Sequence, residues 1–480
     1  MKRKFVLNIT FLIFVSLLVK AFWVLGIDRS VQNLAGEEEY GFYFSLFSFS
    51  VLFTLLLDLG IAGFNNRAVS TNPSVIKSYF SNILVIRLSA SVVYFVITLL
   101  AAFLMHYSGR QVMLLLVLMI NQVIASMTVW LRSNISGLQN FFLDSLLSVS
   151  DRFIMIVVCS FILWGGITTT PFRIEWFVYI QTFAYLAVMI VSLLIVIRLG
   201  HIRSLKTDTT IMLSVIRAGI PYALVALFMT LYWRTDAVMI ERLLPDGRFQ
   251  AGAYAQSFRL FDAFSMIPVM FGGMLLPVFS REISRGHDLR PIIRIAMKML
   301  LAPAGIIVSS LILWPHEILN ILYKSPSGES AAVFRLLMIT VIPVSLVYIY
   351  STLLTASGNM KTLAAITGTA TVINMSLNFL LIPRISITGS AISALASQSF
   401  VALLCIIMTD KKIIKVRLSA TVLLFVAMAG VTLLTGFVCR RLQLSLLPGM
   451  ALQLAVGVVW VLSFRMIEPA KAIRLISEKP

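Results

Sequence analysis

Charged residues are scarce in this sequence, at 12% against about 25% in an average soluble protein, which excludes an ordinary solvated surface. Cysteine is scarcer still. The three present, Cys159, Cys405 and Cys439, fall within or at the ends of apolar stretches, without the spacing of a disulfide framework or a metal site, and are read as packing residues. Four histidines, His106, His201, His287 and His316, are scattered over separate connections, so no histidine-based metal cluster is expected. There is no GxxxxGK[ST] loop for nucleotide phosphates, no HExxH and no GxSxG. These absences point away from an enzyme and from a cofactor. Uphill work by such a chain would draw on an ion gradient, H+ or Na+, or on the membrane potential.

What is abundant is apolar sequence, 59% of the chain. The charges fall between segments as long as the roughly 20 residues that cross a bilayer as a helix. No Asp, Glu, Lys or Arg lies between Arg87 and Arg110, Arg110 and Arg132, Arg152 and Arg173, or Glu175 and Arg198. The same holds from Arg335 to Lys361, Lys361 to Arg384, Arg384 to Asp410, Arg417 to Arg440, and Arg441 to Arg465. With the less clean segments near 5–25, 42–64, 216–240, 252–279 and 293–313, an all-α polytopic membrane protein of about fourteen spans is predicted. Transmembrane barrel strands are shorter and alternate in polarity, so a barrel is excluded.

A net charge of +19 would suggest nucleic acid in a soluble protein. Its distribution decides otherwise. With a cytoplasmic amino terminus, the inner connections hold most of the cations, including Lys2, Arg3, Lys4, Arg67, Lys77, Arg132, Arg198, Arg203, Lys206, Arg281, Arg285, Arg290, Lys411, Lys412, Lys415 and Arg417. The outer ones hold few, among them Arg29, Arg110, Arg173, Arg248, Arg384 and Arg440. This positive-inside bias places both termini in the cytoplasm. The start MKRKFVLNITFLIFVSLLVKAF has a basic n-region and an apolar stretch but no small-x-small cleavage site, and reads as an uncleaved first span.

The polar connection 198–214 falls near the middle of the first twelve spans, which predicts two six-helix lobes, 1–205 and 206–410, and an added helix pair with a tail, 411–480. An internal repeat supports the division. GEEEYGFY (Gly36–Tyr43) and GRFQAGAY (Gly247–Tyr254) share Gly, Gly and Tyr at identical spacing, each after a span carrying Trp and Asp: Trp23 with Asp28, Trp233 with Asp236. SGLQ at Ser136 and SGNM at Ser357 fall at corresponding fourth-to-fifth-helix turns. An even number of helices per lobe implies a pseudo-twofold axis along the membrane normal.

Charges inside the spans carry the chemistry. A cation at the centre of a spanning helix costs roughly 2.5–3.5 kcal/mol on insertion scales. Snorkelling accounts for Arg217, Arg294, Lys298 and Arg335, all close to span ends. Lys20 in the first span, Arg234 and Asp236 in the seventh, and Arg259 and Asp262 in the eighth ask for another explanation. If these spans face one another they form a cationic cavity suited to a diphosphate, because charge-assisted bonds to phosphate oxygens are strong and directional. Arg259 and Asp262, three apart on one helical face, could instead neutralise each other. Asp58 and Asp151 are the lone span carboxylates of the first lobe and candidates for ion coupling; the alternative is a structural pair, such as Asp151 with Arg87.

At this point LGIDRSVQN (Leu25–Asn33), AGEEEYGFYFSLFSFS (Ala35–Ser50), LLDLGIAGFNNR (Leu56–Arg67), AGAYAQSFRL (Ala251–Leu260), MLLPVFS (Met274–Ser280) and INMSLNFLLIP (Ile373–Pro383) with Gly389 resemble the polysaccharide and O-antigen flippases of the multidrug/oligosaccharidyl-lipid/polysaccharide exporter superfamily. The resemblance covers the first twelve spans. It implies alternating access in a bacterial inner membrane, a polyprenyl-diphosphate-linked oligosaccharide as substrate, membrane lipids and polysaccharide polymerase machinery as partners, and a substrate-binding arginine at Arg259. Related lipid II flippases carry an arginine within the first helix, where this chain has Lys20 and, at the helix end, Arg29. The last two spans resemble an addition that can form a groove for a lipid tail. Competing readings are a multidrug or toxin exporter of the same superfamily, which would want an anionic or aromatic cavity, and a membrane glycosyltransferase or polymerase, for which the outer loops offer only Glu37, Glu38 and Glu39.

Overall fold

The computed structural model describes residues 18–107, 109–165, 172–201, 207–324, 326–415, 419–464 and 466. The start of the first span, the basic connection at 202–206, Arg417, Arg465 and the tail from 467 lie outside the described residues, and with them part of the charge asymmetry. All described regular structure is helical: α1 (Leu18–Leu52), α2 (Ile61–Thr71), α3 (Ile76–Leu104), α4 (Gly109–Gly137), α5 (Phe141–Trp164), α6 (Ile174–Gly200), α7 (Thr209–Leu243), α8 (Gly247–Ser284), α9 (Arg290–Leu311), α10 (Pro315–Leu322), α11 (Ser330–Ala356), α12 (Met360–Lys412), α13 (Ser419–Arg441) and α14 (Leu446–Ser463). The chain is a multi-pass membrane protein.

Eleven described helices are long and apolar enough to cross a membrane, or up to twelve if the bent pair Leu18–Leu52 and Leu55–Thr71 is one span. The difference from about fourteen lies where helices run end to end across a break. The 53 residues of α12 would be about 80 Å long at 1.5 Å per residue, far more than one crossing, and the backbone leaves the helical region at Ile385 and Ser386. In α1 the same happens at Gly36, whose φ of 80° is a left-handed conformation that favours glycine. Both breaks fall where the charge pattern puts a connection.

Contacts divide the chain into two compact units, Met1–Arg242 with Asp246–Gly252, and Leu243–Pro245 with Ala253–Pro480. In the first, α4 packs against α2 and α6. Its buried core joins Ile83 and Ile86 of α3, Trp130, Leu131 and Ile135 of α4, Val188 and Val196 of α6, and Val215 of α7. A second aromatic layer stacks Trp23 on Phe177 at 5.7 Å and sets Tyr43 edge-on to Phe177 at 5.4 Å. Asp208 caps α7: its Oδ1 accepts from the Thr210 amide at 2.8 Å and from the Thr210 hydroxyl, which holds this exposed carboxyl below its ordinary range.

The two glycines aligned by the repeat meet within this unit. A β-carbon on Gly41 would fall on the carbonyl oxygen of Arg248, and one on Gly252 on that of Glu37. Each glycine thus receives the carbonyl four residues before the other, a reciprocal backbone approach that no larger residue permits. The second sequence match fares differently. At α4 the Leu138, Gln139 and Asn140 amides donate back to Asn134, Ser136 and Ile135, and at α11 the Ser357, Gly358 and Asn359 amides donate to Leu353, Thr355 and Leu354. The two turns are alike, but Ser136-Gly137 lies two residues earlier in its turn than the 138–139 pair that corresponds to Ser357-Gly358. The same bonding closes α3 at His106 and α13 at Gln443, so it is a general left-handed helix end, not a mark of repetition.

In the second unit α11 packs along α12, and α13 and α14 lie against each other and against α9. The last two helices are fixed by a buried polar knot: Trp314 Nε1 donates to Gln453 Oε1 at 2.9 Å, Gln453 Nε2 donates to the Thr432 carbonyl at 3.1 Å, and the Thr432 and Ser309 hydroxyls are 2.7 Å apart. Gly449 seats Trp314, and Gly457 seats Ile306.

Gly41→Ala and Gly252→Ala are each expected to reduce the folded yield and lower the thermal midpoint in detergent. Gly63→Ala, where a β-carbon meets nothing within 4 Å, should be neutral or stabilising by about 0.5–1 kcal/mol. Thermal unfolding of the three purified variants checks this; equal behaviour at all three positions would contradict the close approach.

Candidate functional site

In the first unit two departures from the regular helix, one on either side of the break at Gly36, are each tied to a charged side chain. Residues Trp23–Asp28 form a π-helix, a bulge frequent at functional sites. Asp28 at its end is 1% exposed. Its carboxylate accepts from the Tyr40 hydroxyl at 2.9 and 3.0 Å and from Gln32 Nε2 at 2.9 Å. The charge pattern marks Asp28 as a feature of the repeat but not as a buried group, because its partner Tyr40 arrives from beyond the break at Gly36.

The second break runs through Leu59 (φ 47°) and Gly60 (φ 73°), both left-handed, which is unusual for leucine. Arg87, 1% exposed, holds it from α3. Arg87 Nη1 donates to the Leu57 carbonyl at 3.2 Å and to the carbonyl and hydroxyl of Ser126 at 3.0 and 2.8 Å, and its guanidinium lies over the Trp130 ring at 5.8 Å. Arg87 Nη2 forms an ion pair with Asp58, whose Oδ1 also accepts from the Ala62 amide at 3.2 Å. Gly219 of α7 lets the Leu59 carbonyl approach. The partner of Arg87 is thus Asp58, not Asp151, and Asp58 stands in the structure as one half of an ion pair.

Asp151 lies at the midpoint of α5 beside Arg152, with Arg152 Nε 4.0 Å from its Oδ2. The Arg152 guanidinium sits over Trp23 at 5.1 Å and Tyr185 at 5.9 Å. Lys20 feels the charges of Arg152, Asp151 and Arg132, so the structure brings Lys20 and Asp151 into one neighbourhood. Arg132 Nε in turn donates to Asp144 at 2.9 Å. Arg29 is partly exposed just past the π-helix. Arg234 lies 5.9 Å from the Phe47 ring centre, with Asp236 buried two residues on.

At one end of this unit Arg110 bridges Glu39 and Glu175 with bonds of 2.7–3.1 Å and stacks on Phe42 at 4.8 Å, with Arg248 5.0 Å from the same ring. Gln111 donates to Glu241 at 3.0 Å. Glu39, one of the few outer-loop acids open to a catalytic reading, is therefore engaged in holding helix ends.

In the second unit Arg259 and Asp262 are both partly exposed, three residues apart on one face of α8, and Asp262 is within electrostatic reach of Tyr348 on α11. A polar cluster absent from the charge-based reading is buried inside α12: Asn378 donates to Asn374 Oδ1 at 3.2 Å, and Asn374 to the Ser397 hydroxyl at 3.4 Å. The i, i+4 asparagines of INMSLNF were the available signal. An apolar cavity of about 50 Å³ between α8, α9 and α11, lined by Phe264, Pro268, Met299, Pro303 and Val341, is far too small for a sugar. Among the described residues no group of three His, Cys, Asp or Glu side chains could hold a metal ion.

A family model described as polysaccharide biosynthesis protein matches residues 6–283, more than half of the chain. The chain belongs to this family. A second model, for the lipid II flippase MurJ, matches residues 238–448. Among solved structures, the lipid II flippase MurJ in an inward closed conformation is similar with a TM-score of 0.73 at 14% identity, over 98% of this chain and 100% of that one. An inward-facing multidrug resistance MATE transporter of the MOP superfamily aligns at 0.59 with 16% identity, over 82% and 94%. A MOP superfamily transporter from Pyrococcus furiosus, described by a binding pocket of reversed polarity, aligns at 0.56 with 14% identity, over 84% and 92%. Comparison with curated protein sequences gives no match. The family and the fold are those of transporters.

Replacing Arg87 by Met removes a buried cation with four acceptors and should lower the thermal midpoint by more than any other single charge change in the first unit; each buried acceptor left unpaired costs about 1–3 kcal/mol. Asp58→Asn should also destabilise, and the double variant should be less destabilised than the sum, with a coupling of about 0.5–3 kcal/mol. A strictly additive cycle would remove the pair from the fold's support and return Asp58 to the ion-coupling candidates.

Proposed function

We propose that this protein is a flippase that carries a polyprenyl-diphosphate-linked oligosaccharide from the cytoplasmic to the outer leaflet of a bacterial inner membrane, for the synthesis of a cell-surface polysaccharide. Both termini are cytoplasmic, and the polymerase machinery takes the delivered lipid. The observation that carries the reading is the cationic set of Lys20, Arg234 and Arg259 within the spans, with Arg29 at the end of the first, in a member of a polysaccharide biosynthesis family. A diphosphate is the part of such a lipid that cannot cross hydrocarbon by itself, and fixed cations in a partly dry passage replace its hydration. A drug exporter shares the fold, but organic cations would be repelled by this set.

In this reading Arg259 is the principal diphosphate ligand, with Lys20, Arg29 and Arg234 assisting and Asp262 orienting Arg259. H+ or Na+ coupling falls to a span carboxylate: Asp151 is the better candidate of the two, since Asp58 is held by Arg87. The last two helices, seated on α9, serve the lipid tail.

Depletion of the protein should cause a lipid-linked sugar to accumulate on the cytoplasmic leaflet. Complementation with Arg259→Ala at normal protein level should fail to clear it, and Arg259→Lys, which keeps the charge and loses the planar fork, should clear it in part. If depletion leaves the leaflet distribution unchanged, the reading is wrong.

A further inference from the structure

A buried carboxylate that the proposed function does not use lies at the end of α7. Glu241 stands in the last turn of that helix, where the negative end of the helix dipole disfavours an acid, and its side chain is only 5% exposed. Its Oε1 accepts from Gln111 Nε2 of α4 at 3.0 Å. Its Oε2 lies 3.0 Å from Nε of the next residue, Arg242, but the alignment is not that of a hydrogen bond. Glu241 Oε2, Arg242 Nε and Nη2, and the hydroxyl of Tyr107 are all buried without a hydrogen-bond partner among the described residues. The Arg242 guanidinium lies over the Tyr107 ring at 4.1 Å.

The pair is thus held by charge and not by directed bonds. Unmade hydrogen bonds on a buried guanidinium are costly, and the charge of Glu241 is what offsets them. Neutralising Glu241 would strand Arg242 as a buried cation without a countercharge, and its head would be driven towards solvent, to which 27% of the side chain already has access. Three helices depend on this point, all within the first unit. A β-carbon on Gly247 would fall on the Glu241 carbonyl, so the start of α8 rests on the end of α7, and Gly41 brings α1 onto the carbonyl of Arg248. Gln111 ties the same carboxylate to α4.

We propose that Glu241 is a proton-binding site that latches the end of α7: ionised, it holds Arg242 and Gln111 of α4 together, and protonated, it releases Arg242 and with it the start of α8 from α4. The proton is taken from solvent onto Oε2, the oxygen without a hydrogen bond, so the latch is present at alkaline pH and lost as pH falls. The charged and titratable groups around Glu241 are Arg242 on its own helix, Tyr107 with exposed His106 ahead of α4, and Arg248 on α8. Arg110, Glu39 and Glu175 form a separate ion-paired set at this end. The site is additional to Asp58 and Asp151. It rests on the transport function of the family and not on the nature of the cargo.

The test is a distance measurement on full-length protein in nanodiscs, with spin labels on cysteines introduced at Met113 of α4 and Phe249 of α8, both exposed. The three native cysteines are buried, so the labels go to the introduced pair. With Glu241 intact, a second, longer separation should grow on acidification. Glu241→Gln, which mimics the protonated acid, should show the longer separation at every pH. Arg242→Gln removes the cation that protonation strands and should keep the shorter separation throughout, and it decides the matter if Glu241→Gln does not fold. His106→Gln and Glu39→Gln should leave the response in place. A response that persists in Glu241→Gln or Arg242→Gln, or that is abolished by His106→Gln or Glu39→Gln, overturns the latch, as does a separation that ignores pH when Glu241 is intact. No cargo is present, so the outcome is independent of whether a lipid diphosphate is carried.

Discussion

Hydrocarbon offers no hydrogen bonds, and every departure from a regular helix inside this protein has to be satisfied by the protein itself. The left-handed pair Leu59–Gly60 frees the Leu57 carbonyl, and Arg87 reaches across from α3 to take it. The same guanidinium collects Ser126 and Asp58, so one buried cation fixes the broken helix, its neighbour α4 and the start of α2 together. At the π-helical segment the Ser30 hydroxyl donates to the Gly26 carbonyl at 2.6 Å, and Asp28 is satisfied by Tyr40 and Gln32. Breaks that would be fatal in a bare span are thereby made stable features.

The same constraint sorts the charges into two kinds. Arg87 and Asp28 are buried among fixed partners and serve the fold. Lys20, Arg152 and Arg259 are partly exposed within spans, where water or a ligand can reach them. A cation kept in that position at a cost of a few kcal/mol is useful to a protein that must receive and release an anion, because the site is strong enough to replace hydration and wet enough to let the anion leave. The family to which the chain belongs works on polysaccharide synthesis, and the proposed substrate, a lipid diphosphate, is such an anion.

Charge spacing made most of the spans legible, because the bilayer fixes the length of an apolar segment and no tertiary contact can override it. The glycines Gly41 and Gly252 stood out in the sequence only as a repeat; that each receives the other segment's backbone is visible only in the structure. The Ser-Gly turns were not legible, since a left-handed helix end accepts Gln139 as well as Gly358. Partner choice was least legible. Arg87 finds Asp58 29 residues away across a break, Asp28 finds Tyr40 across another, and Arg152 of α5 finds the rings of Trp23 and Tyr185. None of these follows from spacing along one helix. The Trp314–Gln453 knot, which seats the last two helices on α9, joins residues 139 apart and gives no local signal.

The central claim is that the intramembrane cations serve the movement of a lipid-linked diphosphate. It is tested most directly by reconstituting the protein in proteoliposomes containing a fluorescent polyprenyl-diphosphate oligosaccharide and following the fraction that a membrane-impermeant quencher can reach. The account predicts protein-dependent transfer of the diphosphate lipid between leaflets, and no acceleration for the same oligosaccharide on an uncharged polyprenyl carrier. Transfer no faster than in protein-free vesicles, or equal transfer of the uncharged lipid, would contradict it.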